Sequence, residues 1–227
     1  MPKILTYSLY ILLIIVIVVF ALIVIKRWSL RKTIVEYPED AKRSFTVPST
    51  KIKFSEPNQG LSFTHSMWIY VHDWDYRYMT EKHIFKKGGV ILYLGAKNNN
   101  LYLEIPTINS TRPDTIVYEN VPLQKWVNVV IALNNRDVDL WLNGTLYHSR
   151  HLTNVPSISE TDVQYLSDGG FSGNISRVYH YQTNLSKRNI ENLFLLGPIN
   201  RNPITAIYEY IRTLFKVDPK KPQMLTC

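Results

Sequence analysis

One feature limits what this chain can fold into more than any other. It is an apolar run that opens at Ile4 and closes at Ile25, ILTYSLYILLIIVIVVFALIVI, whose last fifteen residues from Ile11 through Phe20 to Ile25 carry no polar side chain. As a helix, twenty-two residues span ~33 Å, enough for a hydrocarbon core of ~30 Å. Tyr7 and Tyr10 fall near one end of the run and Trp28 near the other, as interfacial aromatics do. A cleaved signal peptide is a poor fit, because the run is long and no small-residue cleavage site comes after it. Instead the run ends at a basic stop containing Lys26, Arg27, Arg31 and Lys32. A buried core helix that is apolar all round has no place in a domain of this size. The run is therefore predicted to be a single membrane anchor.

The charge distribution agrees. The chain of 227 residues carries +8. Residues 1–44 hold +4, residues 45–200 only +1, and residues 201–227 hold +3. A nucleic-acid-binding domain would carry its excess on the domain itself, so nucleic acid is not an expected partner. Charge beside a membrane segment and in a tail suits anionic lipid or an acidic protein. Four basic residues after the run against Lys3 and the α-amine before it place the C-terminal domain on the cytosolic side by the positive-inside rule. Cys227 is the sole cysteine, which excludes an internal disulfide and any zinc site with two thiolates.

From about residue 45 the apolar period becomes two. Phe63, His65, Met67, Ile69 and Val71 alternate with Thr64, Ser66, Trp68, Tyr70 and His72. Val127, Val129, Ile131 and Leu133 form a second set, and Val138, Leu140 and Leu142 a third. Asn134-Asn135-Arg136-Asp137 and Asn143-Gly144 are hairpin chemistry, and Gly88-Gly89 and Asp168-Gly169-Gly170 punctuate other strands. The pattern predicts an all-β sandwich or barrel. Two helices are expected. Ser186 should cap one over residues 187–196, closed by Gly197-Pro198. Ile204, Ile207, Tyr208, Ile211, Leu214 and Phe215 make the stripe of an amphipathic second helix, which could cover the sandwich, lie on a membrane or dock a partner.

The order FTHSMWIYV, IFKKGG, WVNVVIAL, VDLWLNG, FSGNISRVYHY and NLSKRNIENLF resembles the laminin-G-like, concanavalin A-type jelly roll across residues 50–197. Trp141 stands where that family usually has Tyr, and Gln182-Thr183-Asn184 replaces its usual exit loop. The resemblance marks Trp68, Gly88, Trp126, Trp141, Asn143, Gly144, Phe171 and Gly173 as framework rather than site. Trp68, Trp126 and Phe171 are expected to join the two sheets. The implied organisation is an anchor with its basic flank at 1–32, a linker at 33–49, the jelly roll at 50–197, and a C-terminal helix and tail at 198–227.

The fold includes β-glucan hydrolases, whose carboxylates sit on one strand as Glu-x-Asp-x-Glu. No such run occurs. Asp73/Asp75 and Asp137/Asp139 have same-face spacing but lie beside turns, where Asp is a normal turn residue. His148 and His151 fall on opposite faces of a strand, so no metal pair is expected there. Some laminin-G-like domains bind calcium on a rim, and Asn134, Asn135, Asp137 and Asp168 are the oxygen donors that could do so. They match no family calcium motif, and no cofactor is expected. Asn109, Asn143, Asn174 and Asn184 open glycosylation sequons that matter only outside the cytosol.

These readings converge on a non-enzymatic, single-pass membrane protein that uses its jelly roll for binding or scaffolding. The layout resembles membrane-associated minor capsid proteins of large icosahedral DNA viruses. That implies lipid and a protein assembly such as capsid proteins as partners. An extracellular carbohydrate-binding or adhesion receptor, with glycan as partner, and a diverged glycan hydrolase are the alternatives.

Overall fold

The computed structural model describes residues 2–29, 31–54 and 60–199. Helix α1 (Pro2–Ser29) is followed by β1 (Arg31–Val35), β2 (Glu39–Asp40), β3 (Phe45–Val47) and β4 (Ser62–Val71). Next come β5 (Lys82–Lys87), β6 (Val90–Leu94), β7 (Leu101–Ile105), β8 (Asp114–Tyr118) and β9 (Trp126–Asn134). The described residues close with β10 (Asp137–Leu142), β11 (Thr145–His151), β12 (Val163–Tyr165), β13 (Gly173–Tyr181) and helix α2 (Lys187–Leu195). All strand pairs are antiparallel and form two sheets. One is seven-stranded with the order β1-β13-β4-β9-β10-β11 and β2 beside β13. The other is six-stranded with the order β3-β12-β5-β6-β7-β8.

The two inner faces interdigitate into one core. Strand β4 contributes Phe63, Met67, Ile69 and Val71, and β9 contributes Val127, Val129, Ile131 and Leu133, the alternating sets read from the sequence. Phe171 joins them. Trp68, Trp126 and Trp141 do not. Period two turns Trp68 outward between Met67 and Ile69, and Trp141 outward between Leu140 and Leu142. Trp68 stacks on Phe194 of α2 at 5.6 Å, and Trp141 packs with Val130, Ala132 and Ile190. Trp126 pairs across the strands with Tyr70, their rings 5.4 Å apart. These rings bind α2 and each other to the outside of the seven-stranded sheet. They do not join the two sheets.

Residues 33–49 also differ from the expected linker. β1 and β2 hydrogen-bond to β13, and β3 hydrogen-bonds to β12. Arg31 and Lys32 lie in β1, opposite Tyr181 and His180. Such short strands carry too little period-two signal to read from sequence. They form because both sheet edges offer unpaired backbone. Asn143 (φ 50°) and Gly144 (φ 75°) make the β10–β11 turn. A Cβ on Gly144 would press on the Phe194 side chain, 3.0 Å from its Cβ and 3.1 Å from its ring.

Ser186 occupies the N-cap position of α2, but its side chain makes no capping hydrogen bond. The approach to α2 is held instead by β4. Ser62 Oγ accepts from Asn184 N at 3.0 Å, and Thr64 Oγ1 accepts from Leu185 N at 2.9 Å. Ser186→Ala should therefore cost under about 0.5 kcal/mol, not the usual ~1 kcal/mol for a lost cap. Thr64→Ala should cost more, and urea melts of both variants check the order.

In α1, side chains are described for Tyr7 and residues 10–22. Among the described residues no helix is long and apolar enough to cross a membrane. The large apolar side chains of residues 10–22 are exposed by 49% to 61%. Ile4, Ile25, Lys26 and Arg27 lie outside the described side chains. The expected helix bearing Ile204, Ile207, Tyr208, Ile211, Leu214 and Phe215 lies outside the described residues.

Candidate functional site

The solvent face of the six-stranded sheet gathers its polar and aromatic side chains into two rows. In the chain of cross-strand partners His83–Tyr93–Tyr102–Val117, the rings of Tyr93 and Tyr102 stack at 5.1 Å with planes 10° apart. His83 lies 5.9 Å from Tyr93. The next row is Gln164–Lys86–Ile91–Glu104–Thr115. An irregularity in β5 between His83 and Phe85 resets the alternation. It lets His83 and Lys86 share this face while Phe85 enters the core.

Hydrogen bonds fix the rows. Tyr93 donates its hydroxyl to Glu104 Oε1 at 2.7 Å, and Asn98 Nδ2 donates to Tyr102 Oη at 3.1 Å. Burial, reinforced by Glu104, pushes the Tyr93 phenol well above its ordinary value, so it remains a donor. Asp168 reaches in from the turn before β13. Its Oδ2 lies 3.2 Å from His83 Nδ1 and 3.4 Å from Lys86 Nζ. The Lys86 ammonium holds the Asp168 carboxyl below the ordinary range. Burial, then Lys86, holds His83 below its ordinary value. Glu81 lies 3.5 Å from His83 Nε2. Each acid here thus faces a base or a phenol. Tyr93 is buried at 9% exposure, so half-buried Tyr102 is the ring of the stack that this face offers, with flanking donors and acceptors that suit recognition of a planar or ring-shaped group.

The loop from residue 72 to 81 overhangs one end of this sheet. Asp73 holds it by accepting from Tyr76 N at 3.1 Å and from Ser172 Oγ, and the Ser172 bond depresses the Asp73 carboxyl. Lys82 is buried with Nζ 4.8 Å from the Trp74 ring and 3.4 Å from the carbonyls of Thr80 and Gly95. Tyr78 and Met79 stand exposed at the tip.

A second polar cluster is sealed between the sheets. His65 and His180 are cross-strand partners facing inward, with ring centroids 5.7 Å apart. His180 Nε2 donates to the Lys53 carbonyl at 2.7 Å, which leaves Nδ1 without a partner. His65 Nε2 meets the Tyr165 hydroxyl at 3.2 Å. Burial depresses both histidines, His180 to about 4. This cluster is closed to ligands and acts on stability.

The positions marked from sequence fall elsewhere. Gly88 and Gly173 sit where a Cβ would strike the carbonyls of Ser159 and Tyr70. Asp137 is bound by His151 Nδ1 at 2.7 Å, far in topology from Asp168, so the four oxygen donors considered for calcium are not brought together. Among the described residues, no group of three or more His, Cys, Asp or Glu could hold a metal ion. Tyr93, Tyr102, Glu104, His83 and Lys86 were missed by sequence reasoning. The available signal was the pair of short alternating runs VILYL and LYLEI, which place Tyr and Glu opposite leucines.

Sequence comparison with curated proteins gives no match. Among solved structures, the receptor binding domain of botulinum neurotoxin mosaic serotype C/D is similar at 16% identity and TM-score 0.55, over 72% of this chain and 44% of that one. The ligand binding domain of botulinum neurotoxin serotype D, solved with N-acetylneuraminic acid, is similar at 16% identity and TM-score 0.50, over 61% and 38%. This chain spans less than half of each, and at such identity the likeness is one of fold. Residues 43–191, more than half of the chain, match the concanavalin A-like lectin/glucanase superfamily in its laminin-G form. With two antiparallel sheets packed as a jelly roll and that match, the chain belongs to the concanavalin A-like lectin/glucanase superfamily.

Proposed function

We propose that the protein is a non-catalytic, single-pass membrane-anchored binding module that presents its jelly roll to a protein assembly. The observation that carries this is α1. Consecutive apolar side chains over residues 10–22 are exposed, with no cover from the described residues, and sequence extends the run to Ile4 and Ile25. Such a surface is stable only in a lipid or protein environment. A single residue, Leu30, separates α1 from β1, so the domain is held at the bilayer. Charge bias supports a cytosolic domain, and the layout suggests a capsid-type assembly at a virion membrane as the partner. Recognition rather than catalysis is supported by the acids of the exposed sheet face. Glu104, Asp168 and Glu81 are each engaged by Tyr93, Lys86 or His83, whereas a retaining glycosidase needs two carboxyls ~5–5.5 Å apart around its substrate.

The test is protease protection in sealed membranes, with an epitope placed after Lys221. Cleavage from the cytosolic side is expected. Protection until detergent is added would overturn the orientation.

The Tyr93–Tyr102 stack favours one second reading, a glycan receptor whose sugar lies on that sheet face. Under it, Tyr102→Ala should weaken binding on a glycan array by tenfold or more, about 1.4 kcal/mol. No binding by the unaltered protein would remove this reading.

A further inference from the structure

The register of the seven-stranded sheet identifies which end of the jelly roll lies next to α1. Arg31 opens β1 and faces Tyr181, which faces Thr64 near the start of β4. Ser62 faces Asn134, Asn134 faces Asp137, and Asp137 faces His151. The same end then passes to the six-stranded sheet. Thr153 N donates to Asp114 Oδ2 at 2.9 Å, Ile108 N donates to the Val155 carbonyl at 2.9 Å, and Thr107 bridges to Pro156. The loops around Ile108 and Val155 therefore belong to the end where Arg31 sits. They lie at its opposite edge, five strand spacings away or ~24 Å.

Isolated exposed apolar residues are ordinary. Ile108 and Val155 differ in being joined to each other at the tips of adjacent loops, 45% and 49% exposed. The charges of this end are also lopsided. Among the described residues its acids are occupied: Asp137 by His151, Asp114 by Arg150, Glu160 by Lys87, and Asp162 by Ser49 N. Lys32, Lys51, Lys53 and Arg112 are exposed. None of the four lies in an ion pair among the described residues.

We infer that this end of the jelly roll is a second membrane contact. Ile108 and Val155 enter the headgroup region of the bilayer that α1 anchors in, and the free cations meet its anionic lipids. This rests on the membrane-anchor proposal. It goes beyond that proposal by fixing the orientation of the domain: the opposite end, with Tyr78 and Met79, points away from the membrane toward the partner.

The test uses the full chain in a Cys227→Ser background. Single cysteines are introduced as Ile108→Cys, Val155→Cys and, as the control, Tyr78→Cys. Each is labelled with a small fluorophore, and the protein is reconstituted in phosphatidylcholine–phosphatidylserine vesicles that carry a shallow spin-labelled lipid. Quenching at 108 and 155 should exceed that at 78 by about threefold or more, as expected for interfacial insertion. Equal quenching at all three sites, in protein that still floats with the vesicles, would overturn the second contact and leave the anchor standing. Failure to float would remove the anchor, and this inference with it. A glycan found on Asn109, next to Ile108, would also overturn it.

Discussion

Acidification from neutral pH to about pH 4 should destabilise the jelly roll by roughly 3 kcal/mol through His180 alone. In the folded protein, burial depresses His180 from 6.5 to about 4. The unfolded chain therefore binds a proton that the folded chain refuses between those values. Stability falls as the pH drops through that window and levels off below about pH 4. The geometry explains the refusal. Nε2 already gives its proton to the Lys53 carbonyl, so the second proton must go to Nδ1, which has no acceptor. The groups facing the ring are Phe54, Phe63, His65 and the buried Lys87, and the Lys87 charge adds to the penalty. His65 is depressed for the same first reason, burial, and adds to the loss with the same sign. Against a typical total of 5–15 kcal/mol, this is a large fraction. Urea unfolding followed by tryptophan fluorescence, in detergent at several pH values, measures it. His180→Gln keeps an Nε donor but cannot titrate, so its pH dependence should be shallower by about 3 kcal/mol across the same window. Parallel curves for the two proteins would show that His180 is not the group responsible.

Phe54→Ala should cost about 3–5 kcal/mol, the usual range for removing a buried aromatic ring. Phe54 is 1% exposed and is stacked on Phe63 at 4.0 Å with planes 11° apart. Its cation contact matters too, because Lys87 Nζ lies 5.0 Å over the ring. Truncation would remove the stack and the cation–π contact together, and would open the end of the core toward His180, 5.6 Å away. Water admitted there would ease protonation of His180. The variant should therefore be less stable at neutral pH and also less sensitive to acid. Phe54→Leu should cost less, about 1–2 kcal/mol, because most of the volume is kept. A Phe54→Ala protein with an unchanged acid slope would show that the ring does not keep water from the histidines.

Both effects arise from residues that sequence periodicity placed only in part. His65 falls on the inner face of β4 by simple alternation with Phe63 and Met67. His180 does not follow from alternation in β13. Counting by twos from Ile175 puts Arg177, Tyr179 and Tyr181 inside. The register shifts between Ser176 and Tyr179, where Arg177 takes φ 44°, and parity reverses. Val178 and His180 turn inward, while Tyr179 and Tyr181 turn outward to meet Leu193 of α2. The irregularity in β5 does the same for the exposed face, bringing His83 and Lys86 beside Tyr93.

By itself the sequence determined the elements whose signal is local. The apolar run of α1, the alternating inner faces of β4, β9 and β10 and the Asn143-Gly144 turn all follow from side-chain period and turn chemistry. Only the tertiary structure decided what depends on pairing across long stretches of chain. It set β1–β3 against the sheet edges, turned Trp68 and Trp141 under α2 rather than between the sheets, and assembled the Tyr93–Tyr102 face from separate strands. A one-residue bulge reverses every side chain beyond it, and its position is fixed by the neighbouring strand rather than by the residues that form it.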